Sequence, residues 1–201
     1  FEAEQLGDAN FRKDYGLKYA YKTGAMANGI ASEELVIAMG KAGCIGSFGA
    51  AGLVPKRVEQ AIDTIQSALP NESYAFNLIH SPNEPALEEG AVKHFLARGV
   101  HVVEASAFLN LTINIVHYRV AGLSQDVDGK VLINNRVIAK ISRKEVASHF
   151  MQPAPKKYLD KLVAAGKITP LQAQLAASVP MADDITVEAD SGGHTDNRPL
   201  V

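Results

Sequence analysis

The sequence predicts an α/β fold of parallel strands and crossover helices, of the TIM-like (β/α)8 barrel type. Short apolar strands alternate with amphipathic helices six times, at intervals of roughly 25–35 residues, which suits parallel strands joined by helices. A complete barrel needs about 250 residues, so this chain of 201 residues is expected to hold about six of the eight units. A complete doubly wound open sheet is the alternative. The loop after the first strand, GAMANG, lacks the G-x-G-x-x-G fingerprint that would favour that sheet.

The six predicted strands are short apolar segments bounded by glycine, proline or polar residues. They cover residues 18–26, 44–49, 74–80, 100–108, 136–142 and 183–190.

The helices between these strands are predicted from their first residues and apolar faces. Ser32 caps a helix that Gly43 ends, and Pro55 opens the next helix. Leu87, Ala91 and Phe95 mark the apolar face of the third helix.

The later part of the chain contains a longer connection, from 109 to 135. It is expected to hold a helix that ends near Gly122 and a turn at DVDGK. Ser142 with Glu145, and Thr169 with Gln172, match the capping-box pattern and predict two more helix starts.

Composition narrows the function classes. With 47% hydrophobic residues, 21% charged residues and a net charge of -2, the chain is an ordinary globular domain without a basic stripe for nucleic acid. No apolar run approaches the ~20 residues of a membrane span, and the polar, acidic start does not resemble a signal peptide. Cys44 is the single cysteine; it is predicted to be a buried structural thiol, and the lack of an internal disulfide fits the cytoplasm.

In such barrels the chemistry lies on the loops after the strands. Small residues dominate the first two loops, which would let a flat ligand approach backbone N–H groups. The candidates at the six strand ends are Gly24 to Asn28; Gly46, Gly49 and Gly52; Asn77 and His80; Glu104 and Ser106; Lys140 and Ser142; and Glu188 with Asp190 to His194.

The chemistry of these candidates is only partly fixed by residue type. No histidine pair has H-x-H or HxxxH spacing, so no metal site is predicted. Lys140 ends an apolar strand and needs a negative partner, from the protein or from a ligand. His194 follows two glycines, and a functional role is favoured over a tight turn; for His80, a turn role and a functional role stay equally open. Glu188 and Asp190 form either an acid–base pair or a cap.

Several segments together resemble the PfaD-type enoyl reductases of polyunsaturated fatty acid and trans-acyltransferase polyketide synthases. They are GAMANGIASEELVIAMGKAGCIGSFGAAGL, FNLIHSP, VEASAF, RVIAKISRKEVASHFMQPAP and MADDITVEADSGGHTDN. The resemblance runs from about Gly7 to the C-terminus. The family is related to nitronate monooxygenases and to FMN-dependent enoyl-carrier-protein reductases, which share a TIM-like barrel and a GGH loop.

The resemblance implies FMN and NADPH as cofactors and an enoyl thioester on an acyl carrier protein as substrate. His194 matches the active-site histidine of the relatives. Asn77 would bind the polar edge of the flavin, and Lys140 would lie near its electron-rich side. The full set of expected cofactor-binding residues is Gly24, Ala25, Met26, Asn77, Glu104, Lys140, Asp190, Ser191, Gly192 and Gly193.

The resemblance also predicts the domain organisation. Residues 1–201 would form one partial FMN-binding barrel, with a helical insertion at about 151–179 that covers the site or faces a carrier protein. The family's two further barrel units, whose turns usually hold the FMN phosphate, are absent from this chain, so these residues alone are expected to bind FMN poorly. The alternatives are a nitronate monooxygenase-like flavoenzyme that uses the same histidine as a base, and a non-catalytic scaffold of a synthase. A homodimer is compatible with each.

Overall fold

The computed structural model describes residues 2–187, which covers all six predicted strands except the end of the last. The chain divides into two compact units, Phe1–Asn77 and Leu78–Val201. The boundary falls inside the third strand.

The first unit contains three parallel strands. Its elements, in chain order, are a 3-10 turn at Ala3–Gln5, α1 (Ala9–Tyr15), β1 (Lys22–Thr23), α2 (Glu33–Lys41), β2 (Ile45–Phe48), α3 (Pro55–Ala68) and β3 (Ala75–Ile79). The strands lie side by side in the order β1-β2-β3. Helix α1 was not predicted, because it is short and polar and buries only Tyr15.

Helix α2 packs directly on β2. It begins as predicted, with the Ser32 hydroxyl accepting the backbone N–H of Leu35 at 3.4 Å. Gly46 makes the close packing possible, because a β-carbon there would lie 2.8 Å from the Cα of Val36. Helix and strand therefore meet backbone to backbone at this point.

The second unit continues from β3 through three more parallel strands. Its elements are α4 (Pro85–Ala97), β4 (Val102–Ser106), α5 (Ile113–Ala121), β5 (Leu123–Gln125), β6 (Val131–Ile133), β7 (Arg136–Ile141), α6 (Lys144–Phe150), α7 (Lys156–Ala164), α8 (Pro170–Leu175), a 3-10 turn at Ala176–Ser178, and β8 (Asp184–Val187). The order of its parallel strands is β3-β4-β7-β8.

The long connection is more ordered than predicted. Helix α5 ends before Gly122 and the DVDGK turn is present, as expected. Strands β5 and β6 pair antiparallel around this turn, which the sequence prediction missed. The Asp126 carboxylate closes the turn by accepting the backbone N–H groups of Asp128 and Lys130.

Two local predictions in this unit are wrong. Ser142 does not cap α6, because β7 continues to Ile141 and the N-cap is Arg143, in extended conformation and without a side-chain cap. Leu87 is exposed, and α4 buries Glu88, Val92 and Phe95 instead. The buried face of α4 is thus rotated by one residue and includes a carboxylate.

The segment predicted as an insertion forms α7 and α8, which pack against α5. The Tyr158 hydroxyl donates to the carbonyl of Leu111 at 3.1 Å. The predicted capping box of Thr169 and Gln172 is confirmed, and the Gln172 amide also donates to the carbonyl of Ala121 at 2.8 Å.

Arg119 fastens α5 to the segment that precedes β8. Its guanidinium is buried and donates to the carbonyls of Asn135 at 2.9 Å and Pro180 at 3.1 Å. It also pairs with the Asp183 carboxylate at 2.6 Å, which in turn accepts the backbone N–H of Val137. One buried charge pair thereby joins a helix to the start of two strands.

Among the described helices, none combines the length and apolar character needed to cross a lipid bilayer.

Candidate active site

The loop after β1 contains the first candidate residues, Gly24, Ala25 and Met26. A methyl group added at Gly24 would meet no atom within 4 Å, so there is open space beside the backbone. Ala25 is half-buried, and Met26 is 42% exposed. Among the described residues, nothing therefore covers the backbone at Gly24, and the role of this loop in cofactor binding stays a prediction.

In the loop after β2, a glycine allows close contact with the loop after β1. Backbone hydrogen bonds join it to the β1 loop, from Gly29 N–H to the Gly49 carbonyl (2.9 Å) and from Gly49 N–H to the Ala31 carbonyl (3.0 Å). A β-carbon at position 49 would lie 1.6 Å from the Met26 carbonyl oxygen. Gly49 is therefore required by contact between the two loops rather than by a ligand.

Asn77 is buried near the end of β3. Ser47 pairs in register with Ala75, so Ser47 and Asn77 lie on the same face of the sheet in the first unit. The buried Ser47 hydroxyl has no hydrogen-bond partner among the described residues. This face of the first unit thus has polar groups in an otherwise apolar strand layer.

In the second unit, Glu104 and Lys140 lie on one face of the sheet. Glu104 pairs in register with Ile138, and Lys140 is two residues further along β7. The Lys140 Nζ is 4.0 Å from the Glu104 Oε1; the Lys140 side chain is 20% exposed and the Glu104 side chain is fully buried. Lys140 therefore has the negative partner that the sequence predicted, and the protein supplies it.

The end of β4 has an unusual backbone. Ala107 has a φ of 61°, in the left-handed region, which costs an alanine about 1–2 kcal/mol. The residue before it, Ser106, accepts the backbone N–H of His80 at 3.0 Å through its carbonyl. The residue after it, Phe108, stacks on the His80 ring with centroids 5.2 Å apart. The strained turn thus places an aromatic ring against a histidine at the neighbouring strand end.

His80 belongs to a side-chain network that the sequence did not predict. Its Nδ1 is 2.7 Å from the Glu88 carboxylate, whose side chain is 2% exposed. The Thr112 hydroxyl donates to the other carboxylate oxygen and also caps α5 by accepting the Ile115 N–H. The spacing of His80 and Glu88 gave no signal, because the expected apolar face of α4 excluded Glu88.

Five predicted site residues lie outside the described part of the chain: Asp190, Ser191, Gly192, Gly193 and His194. Glu188 is also outside it. Within residues 2–187, no cluster of three or more histidine, cysteine or acidic residues could hold a metal ion.

Comparison with known proteins identifies relatives of much greater length. The chain is 58% identical over 195 residues to one of the polyunsaturated fatty acid synthase subunits of Thraustochytrium sp., a match that covers 97% of this chain and 13% of that protein. It is 49% identical over 195 residues to the polyketide biosynthesis protein PksE of Bacillus subtilis, covering 96% of this chain and 25% of that protein. No family model matches the sequence.

Among solved structures, the chain is similar to the enoyl reductase domain of MlnA from the macrolactin biosynthesis cluster of Bacillus amyloliquefaciens. The TM-score is 0.90 at 39% sequence identity, and the match covers 94% of this chain and 43% of that chain. The predicted α/β fold of TIM-like type is thereby confirmed, and the structure it resembles is an enoyl reductase domain. More particularly, the predicted resemblance to the PfaD-type enoyl reductases of polyketide and polyunsaturated fatty acid synthesis is confirmed.

Proposed function

We propose that this chain is part of an FMN-dependent enoyl reductase that acts in polyketide or polyunsaturated fatty acid synthesis. The observation that supports it most directly is the likeness to the MlnA enoyl reductase domain, at 39% identity and a TM-score of 0.90 over 94% of the chain. The chain spans 13% to 25% of the two synthesis proteins named above, so the activity is proposed for the longer protein that contains it.

The described residues fit an FMN site in their chemistry. In the first unit, the open space at Gly24 leaves backbone accessible to a flat ring, and the Asn77 amide offers a donor and an acceptor. In the second unit, Lys140 places a positively charged side chain on the same face of the sheet as the buried Glu104, 4.0 Å away. When bound, FMN would supply the hydride chemistry that these side chains cannot perform.

NADPH would be the source of the hydride, and the substrate would be an enoyl thioester on an acyl carrier protein of the same synthase. Two tasks then fall to the protein: polarising the thioester carbonyl and providing a proton for the α-carbon. His194 is proposed for one of them, with Asp190 and Ser191 to Gly193 holding the cofactor beside it. We place this enzyme in the cytoplasm, and a homodimer is compatible with the proposal.

The decisive experiment uses the purified full-length protein. We expect it to be yellow with bound FMN, to be reduced by NADPH without oxygen, and to be reoxidised by an enoyl carrier-protein substrate in a single turnover. A nitronate is tested in parallel. A colourless protein would support the scaffold, and nitronate oxidation without enoyl reduction would support the monooxygenase.

A further inference from the structure

His80 has the structural features of a residue that holds and transfers a proton. It directly follows β3 at the carboxyl end of the sheet, where enzymes of this fold place their chemistry. The side chain is 18% exposed, so the ring is accessible although its partners are buried. The sequence alone did not decide whether His80 is a turn residue or a functional residue.

The Glu88 carboxylate fixes the ring. Because it accepts a hydrogen bond at Nδ1 over 2.7 Å, the proton of a neutral imidazole stays on Nδ1 and Nε2 becomes the atom that gains or loses a proton. The carboxylate is itself fixed by the hydroxyl of Thr112. Burying a carboxylate away from water costs free energy unless it is hydrogen-bonded. Here one oxygen of Glu88 is bonded to His80 and the other to Thr112, which offsets that cost.

Aromatic contacts fix the plane of the imidazole. Phe108 stacks on it with an interplanar angle of 26°, and Phe150 meets Phe108 edge-on at a centroid distance of 5.8 Å. Among residues 2–187, the charged group in contact with His80 is Glu88; Thr112 and the two phenyl rings do not titrate. The ring is thus held by one anion at Nδ1 and one apolar surface.

We propose that His80, oriented by Glu88, supplies the proton that completes enoyl reduction; this rests on the function proposed above. Hydride addition to the β-carbon leaves an electron pair on the α-carbon. The Nε2–H bond of protonated His80 breaks as the new α-carbon–hydrogen bond forms, and the electron pair of the N–H bond stays on the imidazole. Solvent then returns a proton to Nε2, so that the enoyl thioester is reduced and NADPH is oxidised overall. His194 is left with the task of polarising the carbonyl.

The test compares three variants of the full-length holoenzyme: His80→Gln, Glu88→Gln and, as the matched control, His149→Gln, an exposed histidine of α6. Flavin reduction by NADPH and reoxidation by an enoyl carrier-protein substrate are measured separately by stopped flow. His80→Gln should slow reoxidation by about 10²–10⁴-fold while flavin content and reduction by NADPH stay at the parent level. His149→Gln should change neither step.

Glu88→Gln tests the positioning role. It should slow reoxidation by about 10–100-fold, as loss of an orienting partner typically does. Nitrogen NMR of the histidine rings provides a readout without substrate: the parent should show His80 protonated at Nδ1, and Glu88→Gln should lose this preference.

Each negative result has a distinct meaning. Parent-rate reoxidation in His80→Gln with full flavin content overturns the role of His80 and leaves the reductase intact. If His80→Gln loses flavin or melts early, a parent reoxidation rate and an unchanged ring tautomer in Glu88→Gln overturn the proposal instead. A parent protein that enoyl thioesters do not reoxidise removes the proposed function, and the proton role of His80 with it.

Discussion

Glu33 lies in the first turn of α2, where Arg57 from α3 binds its carboxylate with both terminal nitrogens. The guanidinium also stacks over the ring of Phe48, with its carbon 5.7 Å from the ring centroid. The hydrogen bonds from Arg57 hold the pKa of the Glu33 carboxyl below its usual value, and the burial that opposes this shift is the smaller effect. The pair therefore favours the ionised carboxylate in the folded state.

Replacing Glu33 with glutamine should lower the free energy of unfolding by about 1–2 kcal/mol at neutral pH. Because the folded-state pKa is depressed, the carboxylate stabilises the fold above its unfolded pKa, and this contribution is lost as the pH falls through the folded value. Urea unfolding at pH 7 and pH 3 measures the difference. The exposed Glu72→Gln is the control, and an equal loss at both pH values for Glu33→Gln would contradict the ion-pair explanation.

At His194 the expectation rests on the sequence alone. Since it follows Gly192 and Gly193 after the last strand, we expect His194→Ala to keep FMN but to lower enoyl reduction by about 10²–10⁴-fold. Single-turnover reoxidation of the flavin, measured beside flavin content, tests this. Reoxidation at the parent rate would leave His194 as a turn residue only.

At the scale of single residues, the sequence predicted those properties of a side chain that follow from its position along a strand. Lys140 ends an apolar strand, so its need for a negative partner could be stated before Glu104 was known to provide it. The bond between His80 and Glu88 could not be predicted in this way. It depends on which face α4 turns to the sheet, and that orientation is decided by packing in three dimensions.

Between elements, the buried charge pair of Arg119 and Asp183 connects α5 with β7 and with the segment before β8. Asp183→Asn should cost about 3–5 kcal/mol of unfolding free energy, because it leaves the guanidinium buried without its counter-charge. Asp160→Asn is the matched control: it breaks the exposed pair with Lys156 and should change stability by less than about 0.5 kcal/mol. Equal effects of the two variants in urea unfolding would show that burial of Arg119 does not set the cost.

Local signals predicted elements well when their determinants lie close together in the chain. The Thr169–Gln172 capping box is confirmed because its hydrogen bonds span three residues. The equivalent pattern at Ser142 failed, because β7 pairs with β8 as far as Ile141 and the chain stays extended at Arg143, so the helix begins only at Lys144. Strands β5 and β6 were missed because three residues each give too short a pattern to detect.

Across the whole chain, Cys44 is a single internal probe of folding, because the sequence has no other cysteine. It is buried, and burial raises the pKa of its thiol. We therefore expect very slow reaction with a thiol reagent under native conditions and complete reaction in denaturant. Mass mapping of the peptide that contains Cys44 would measure this, and rapid native labelling would show that the start of β2 opens readily.

The parallel arrangement of the strands is the property of the fold that the sequence predicted best. Crossover connections of similar length leave few arrangements for strands that follow one another along the chain. The division at Asn77 could not be anticipated, because it falls inside β3 and leaves no mark in local composition.

The contact between the β1 and β2 loops has a consequence for how this domain can diversify. The carbonyl of Met26 occupies the place where any side chain at position 49 would begin. Three residues on, a β-carbon at Gly52 would lie 2.3 Å from the side-chain oxygen of Asn28. The two loops are therefore a single evolutionary unit. Among descendants of this sequence, a change in length at 24–31 should appear only together with a compensating change at 49–52. A library that exchanges both loops as one cassette should yield more folded members than a library that randomises either loop alone.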